Sequence, residues 1–277
     1  LYASLEEETG QATGYRRTGS ISLARTEERL EELRRTASLT KVFGVESEFV
    51  DHARLEALYP GINTEGVLGA LYIEADGQTN PVDTTMALAK GARNRGAKVL
   101  EGIKVEEILV EDGTATGVRT EQGTIMADKV ILAGGLWSRD IAQKIGVDLP
   151  LYACEHFYVV TEPMEGLTKR PVLRDYDKGV YYKEDAGKML VGWFELNAKG
   201  CPMSRISEDF CFDEFPTDME HIEPYLMAGM ETFPPFAETG INTFFNGPES
   251  FTNDNLHLLG PTPEVDNFWV ACGMNSK

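Results

Sequence analysis

Two adjacent glycines, Gly134-Gly135, follow the apolar run Val130-Ile131-Leu132 and precede Trp137-Ser138, where a helical segment opens. Strand, glycine pair and helix start can together take a phosphorylated ligand. The glycines admit a close approach to the backbone, and a helix start offers N–H groups that suit a phosphate. A tight strand-to-helix turn without a ligand uses the same residues, and a lone glycine pair does not separate the two readings. The other reactive side chains are scattered. His52, His156, His221 and His257 lie far apart in sequence, so no metal-ligand spacing is present and no metal is expected. Cys154, Cys201, Cys211 and Cys272 include no C-x-x-C pair, which points to reduced thiols in an intracellular protein. His156 opens one predicted strand and Tyr181 sits in another, so the two can meet across a sheet. An imidazole titrates near neutral pH and can accept or sense a proton; a phenol can relay or orient it. Tyr181 and Tyr182 point to opposite faces of one strand, so at most one faces a pocket. Arg174 has the charge to meet a carboxylate, or to pair with Asp175 or Asp177.

The elements that must position these groups come from a chain of 277 residues, long enough for one large domain or two interwoven ones. Its 26 basic and 45 acidic residues leave a net charge of −19. A field of that sign repels phosphate backbones and anionic membranes, so neither nucleic acid nor membrane is expected as a partner. No apolar run approaches the roughly 20 residues that span a bilayer, and no basic-then-apolar leader begins at Leu1. The ends read as cut. Leu1 sits inside a predicted helix, and Ala271-Cys272-Gly273-Met274-Asn275-Ser276-Lys277 stops just after a predicted strand.

Residues 1–10 read as a helix closed by Gly10, and 20–23 alternate as a strand. Thr26 caps a charged helix with Glu27 and Glu28 in its first turn and Leu30, Leu33 and Ala37 on one face. A short helix over 50–59 stops before Pro60. A strand over 68–73 runs into the turn cluster 75–81, and Asp83 caps a helix that Gly96 ends. Strand-like stretches follow at 98–100, 105–110, 116–120 and 124–126, with turns at Asp112-Gly113 and Gln122-Gly123. They lead into 130–132, read as a strand covered on both faces. After Pro150 come short strands at 157–161, 172–173, 179–182 and 189–194. A helix over 217–231 has Pro224 as its weak point, 240–245 is another strand, 246–263 is turn-rich, and 268–272 is an apolar strand. The fold class is α/β (α+β): a partial nucleotide-binding layer with a β-meander crossover, plus an antiparallel-sheet domain.

Several motifs stand in one order along the chain: Gly14-Tyr15 with Thr18-Gly19-Ser20, Ala75-Asp76-Gly77 with Pro81, and Ala89 to Arg93. Then come Ala133 to Trp137, Glu155 to Glu162, Leu173-Arg174-Asp175 with Tyr181-Tyr182, Pro248 to Thr252 with Asp254, and Gly273 to Ser276. In that order they resemble the FAD-dependent amine oxidoreductases of the D-amino-acid-oxidase type, and within them are most similar to dimethylglycine dehydrogenase and oxidase and to sarcosine dehydrogenase. The resemblance implies FAD as cofactor, and a function of oxidative N-demethylation of an N-methylated glycine, dimethylglycine or sarcosine, by hydride transfer from the N-methyl carbon. It divides the chain into substrate-domain parts at 1–80 and 150–246 and FAD-binding parts at 81–149 and 247–277. Val105 would offer backbone contacts to the adenine end of FAD. Gly134, Gly135 and Trp137 would line its ribose and diphosphate, and Gly273, Met274, Asn275 and Ser276 would lie against the flavin ring. His156 and Tyr181 match the family's pair that contacts the amine and governs its protonation.

The departures from the pattern also carry expectations. A leading strand with G-x-G-x-x-G, the histidine that carries flavin covalently in many relatives, the glycine expected after Ser276 and the carboxyl-terminal folate module all lie outside the motifs present. A chain of this span is accordingly expected to bind FAD poorly or not at all. An inactive fragment keeping the substrate-side fold, another FAD-dependent amino-acid oxidase or dehydrogenase, and a nicotinamide enzyme are the competing readings; no G-x-G-x-x-G supports the last. The partners implied are a small N-methyl amino acid, with tetrahydrofolate and an electron-transfer flavoprotein for the complete protein. The expected compartment is cytoplasmic, or the mitochondrial matrix in a eukaryote.

Overall fold

A computed structural model describes residues 1–207, 209–210 and 215–276. The chain runs α1 (Tyr2–Thr9), β1 (Ser20–Ala24), α2 (Glu27–Val42), β2 (Glu48–Val50), α3 (His52–Leu58), β3 (Gly69–Ile73) and α4 (Pro81–Asn94). It continues through β4 (Val105–Glu111), β5 (Thr114–Thr120), β6 (Gly123–Met126), β7 (Val130–Leu132), α5 (Ser138–Gln143), β8 (Leu151–Thr161), β9 (Val172–Asp175), β10 (Val180–Asp185) and β11 (Lys188–Trp193). It ends with α6 (Met219–Thr232), β12 (Ile241–Thr252), β13 (Leu258–Pro261) and β14 (Phe268–Cys272). These elements form two compact units. The first comprises Leu1–Val99, Phe157–Leu196 and Pro216–Phe245; the second comprises Leu100–His156, Asn197–Phe215 and Asn246–Lys277.

The first unit is built on a sheet of order β12-β8-β11-β10-β9-β1-β3-β2. Its pairs are antiparallel from β11 to β9 and from β1 to β2, but β1 and β9 run parallel. One face carries Ile21, Leu23, Leu173, Val180, Tyr182, Val191 and Trp193, buried with residues of α3 and α6. Alternation along each strand sends its neighbours to the other face. There Ala24 and Leu71 pack with Leu33 and Ala37 of α2, the helix face read from the sequence. Thr26 caps α2, its side chain accepting from the Arg29 N–H. Gly10 closes α1 at φ 66°.

The second unit holds two smaller sheets. One is the meander β4-β5-β6, turned at Asp112-Gly113 with both φ angles positive, as a two-residue hairpin turn needs. The other has order β13-β14-β7, with β14 and β7 parallel. Val130, Phe268, Val270 and Cys272 bury one face of it.

Four local expectations are corrected, and the helix read over 217–231 is present as α6. Residues 98–100 form no strand; all three are exposed, and no strand among the described residues pairs with them. The cap of α4 is Asn80, whose side chain accepts from the Asp83 N–H, so Asp83 lies in the first turn behind Pro81. Strand β7 is buried on one face: the run alternates, with Val130 in the core and Ile131, on the opposite face, 66% exposed. Residues 246–252 extend β12 rather than turning, and Pro248 fits there because β12 ends the sheet order. The helix α6 continues through Pro224. Cys154, Cys201 and Cys272 are free thiols, and Cys211 lies outside the described residues. No helix among the described residues is long and apolar enough to cross a membrane.

Candidate active site

In the second unit the glycine pair and the tail leave the same edge of one parallel strand pair. Val270 of β14 is level with Leu132 of β7; two residues on, the chain reaches Cys272 on one side and Gly134 on the other. In sheets of this kind ligands bind outside the carboxyl ends of parallel strands. The two glycines differ in what they permit. A Cβ on Gly134 would meet Ser138 Oγ at 3.3 Å and Leu132 Cδ1 at 3.4 Å, so this glycine lets the turn pack on α5. Gly135 has φ +52° and nothing within 4 Å of a Cβ position. Its backbone is open, as a cofactor-contacting residue requires. Replacing it with alanine is expected to cost only the left-handed strain, about 1 kcal/mol. If Gly135 lies against FAD, the same change loosens the cofactor, read as flavin released on dialysis.

Trp137 follows in a 3₁₀ turn, its N–H donating to the Gly134 carbonyl. Its partly buried indole packs against Ala153, Cys201 and Ile206. Gly273 is demanded sterically: at φ +67° its Cβ would stand 2.7 Å from Thr252 Cγ2 and 2.9 Å from Leu151 Cδ2. Gly273→Ala is expected to lose about 2 kcal/mol in urea unfolding, more than Gly135→Ala, because overpacking adds to the strain. The tail is tied to β12 by Asn275. Its Oδ1 accepts the Thr252 N–H at 2.8 Å, and its Nδ2 donates to the Gly273 carbonyl at 2.5 Å. That amide is spent on structure, which leaves Met274, Ser276 and the tail backbone to meet a ligand. Val105 opens β4 on the meander sheet, paired with Thr120 and exposed.

His156 lies in β8, 8% exposed, with Nε2 3.9 Å from Glu249 Oε2 and its ring edge-on to Phe251. Phe251 precedes Thr252, the residue that holds Asn275, so adjacent residues of β12 touch the imidazole and the tail. Neighbouring Glu155 has a different task. Burial pushes its carboxyl up, but hydrogen bonds from Asn246 and Arg205 outweigh that and hold it below the usual carboxylate range. Burial raises the Cys201 and Cys272 thiols, so both stay protonated and unreactive. Glu249 was not foreseen. Its approach to His156 depends on 246–252 being strand, and a stretch containing Asn246, Gly247 and Pro248 reads as a turn.

Tyr181 belongs to the first unit. Tyr182 is wholly buried and donates its hydroxyl to the Gly229 carbonyl, whereas Tyr181 stands half-buried on the opposite face. In register beside it is Arg174. Arg174 pairs with neither acid suggested by the sequence: Asp175 faces the core with Arg25, and Asp177 takes Arg25 N–H and Arg29. Its ion pair is with Asp76, at 4.0 Å with both side chains about 40% exposed. A guanidinium so placed remains able to take a carboxylate. Only strand register puts Arg174 beside Tyr181, seven positions away in sequence.

A parallel strand pair with glycines at its carboxyl edge in the second unit, and a large mixed sheet in the first, is a layout that dinucleotide-binding enzymes use. Over residues 1–277 the chain matches the family model described as DAO, FAD dependent oxidoreductase, and it belongs to that family. It is 38% identical to 4-methylaminobutanoate oxidase (formaldehyde-forming) of Paenarthrobacter nicotinovorans over 100% of this chain and 34% of that protein. It is 37% identical to human mitochondrial sarcosine dehydrogenase over 98% of this chain and 30% of the relative. It is 33% identical to rat mitochondrial dimethylglycine dehydrogenase over 99% and 33%. The chain thus spans about a third of the length of these curated relatives. Its fold is that of L-proline dehydrogenase from P. horikoshii, with a TM-score of 0.84 at 23% identity, covering 99% of this chain and 71% of that one.

Proposed function

We propose that the protein oxidatively demethylates an N-methylated glycine, dimethylglycine or sarcosine, with FAD as the acceptor. The relatives named above support the substrate class, and the observation that carries the reading is the pairing of Tyr181 with Arg174 on one sheet face. An amino acid needs a cation for its carboxylate and a proton-handling group near its nitrogen. Arg174 supplies the first as a planar donor fork, and Tyr181 the second. His156, shielded from water and close to a carboxylate, is the group that accepts the amine proton, since only the neutral amine has a lone pair to assist loss of hydride. Bound FAD supplies the two-electron oxidant. The open backbone at Gly135 and that of 273–276 would hold it by contacts that need no side chain.

The reaction releases a carbon at the formaldehyde level and two electrons. Tetrahydrofolate and an electron-transfer flavoprotein are the acceptors proposed for them, in the cytoplasm or the mitochondrial matrix. The test is anaerobic mixing of the flavin-loaded protein with dimethylglycine, sarcosine and 4-methylaminobutanoate. Bleaching of the flavin band by an N-methylglycine, with formaldehyde release, is the expected result. Bleaching by 4-methylaminobutanoate alone, or by none of the three, overturns the assignment.

A further inference from the structure

One row of residues crosses the non-core face of the first unit's sheet. Arg174 of β9 is level with Tyr181 of β10, Tyr181 with Gly192 of β11, and Gly192 with Tyr158 of β8. Glycine inside a strand is costly: it forfeits about 0.5–1 kcal/mol against alanine and leaves nothing to pack. The backbone of Gly192 does not require it, since its φ lies outside the left-handed region.

The reason for the glycine is Tyr181. A Cβ built on Gly192 would stand 2.2 Å from Tyr181 Cζ, 2.2 Å from its hydroxyl oxygen and 2.7 Å from Cε1. The phenol therefore lies flat across β11, with its hydroxyl over the neighbouring strand rather than over its own. Phe194, with ring centroid 5.4 Å from that of Tyr181, flanks the ring. Beyond the glycine, Tyr158 stacks on Phe245 at 4.8 Å. The row thus presents a guanidinium, a phenol laid over a bare backbone, and an aromatic pair.

We infer that Gly192 is a positioning residue: the missing side chain fixes where the Tyr181 hydroxyl stands, and so where an amine nitrogen meets it. This rests on the reading of Tyr181 as a group that contacts substrate. The three nearest atoms that an added methyl would strike all belong to the Tyr181 side chain and none to the backbone, so Gly192→Ala is expected to fold with the phenol swung away. A displacement of about 1 Å at a reacting centre costs up to about 100-fold in rate.

The experiment uses flavin-loaded wild type, G192A, Y181F and the double variant, each also prepared with 3-fluorotyrosine. Among the chain's 10 tyrosines, the resonance missing in Y181F identifies Tyr181. In G192A that resonance moves, kcat/KM for the N-methyl amino acid falls between about 10- and 100-fold, and the pH profile takes the form seen in Y181F. The double variant is no slower than Y181F by more than about twofold, since Gly192 acts through the phenol alone. An unmoved resonance, or effects of the two changes that multiply, overturns positioning by Gly192. Wild-type rate and pH profile in Y181F overturn instead the placement of Tyr181 against substrate.

Discussion

On the proposed reaction, replacing His156 with alanine is expected to lower kcat/KM for the N-methyl amino acid on the order of 100-fold or more, within the range that a positioned acid–base group contributes. The effect is greatest around neutral pH and fades at the acid end. Near neutrality the substrate nitrogen still carries a proton that must leave before hydride is lost, and a neutral imidazole can take it, whereas in acid the imidazole already holds a proton of its own. The setting of His156 supports this. It is nearly closed to solvent, its Nε2 is 3.9 Å from the Glu249 carboxylate, and its ring stands against Phe251. A histidine kept only to fill space would be replaced by asparagine or phenylalanine with little change in the shape of the pH profile. The measurement is the pH dependence of kcat/KM for wild type, H156A and H156N, with flavin content determined for each. Parallel profiles, differing at most in height, would show that the imidazole exchanges no proton with substrate.

What the sequence made legible follows the range of the forces involved. Caps and turns depend on neighbours within four residues, so Thr26, Gly10 and Asp112-Gly113 were readable as they stand. The apolar run 130–132 was readable as a strand, but which of its faces is covered depends on what packs from elsewhere in the chain, and Ile131 turned out exposed. The turn residues at 246–252 misled for a similar reason. An edge strand tolerates asparagine, glycine and proline once its partner supplies the ladder. In the candidate site, the residue types were legible and the pairings were not. Arg174 was visible as a cation, but its place beside Tyr181 follows from β9 pairing with β10, and Gly192 gains meaning only when Tyr181 lies over it. Trp137 and Asn275 show the converse. Both sit in motifs that suggest a ligand, yet the indole is packed in an apolar cluster and the amide is bonded to Thr252 and Gly273.

The sheet that carries Tyr181 and Arg174 is itself held by a buried charge, and Asp175→Ala is expected to remove about 3–5 kcal/mol of stability. Asp175 is fully buried. Its Oδ2 accepts from Arg25 Nε at 2.7 Å and from the Thr232 hydroxyl at 3.1 Å, and its Oδ1 accepts the Lys178 N–H at 3.3 Å. The parallel register of β1 and β9 sets Leu23 level with Asp175, which brings Arg25 to the carboxylate. Three parts of the unit meet there: β1, the β9 to β10 turn, and the end of α6. Without the carboxylate, Arg25 keeps its charge with only 11% of its side chain exposed, and an unpaired buried charge costs more than the pair contributes. The size of the loss therefore reports desolvation rather than contact energy. The double change Arg25→Met with Asp175→Leu distinguishes the two, because it removes the stranded charge along with its partner. It is expected to recover most of the loss, apart from the orphaned Thr232 hydroxyl and Lys178 N–H. Urea unfolding followed by the fluorescence of Trp193, buried in the same unit, checks both variants. A double variant as unstable as Asp175→Ala would mean that the lost hydrogen bonds, not the bared guanidinium, set the cost.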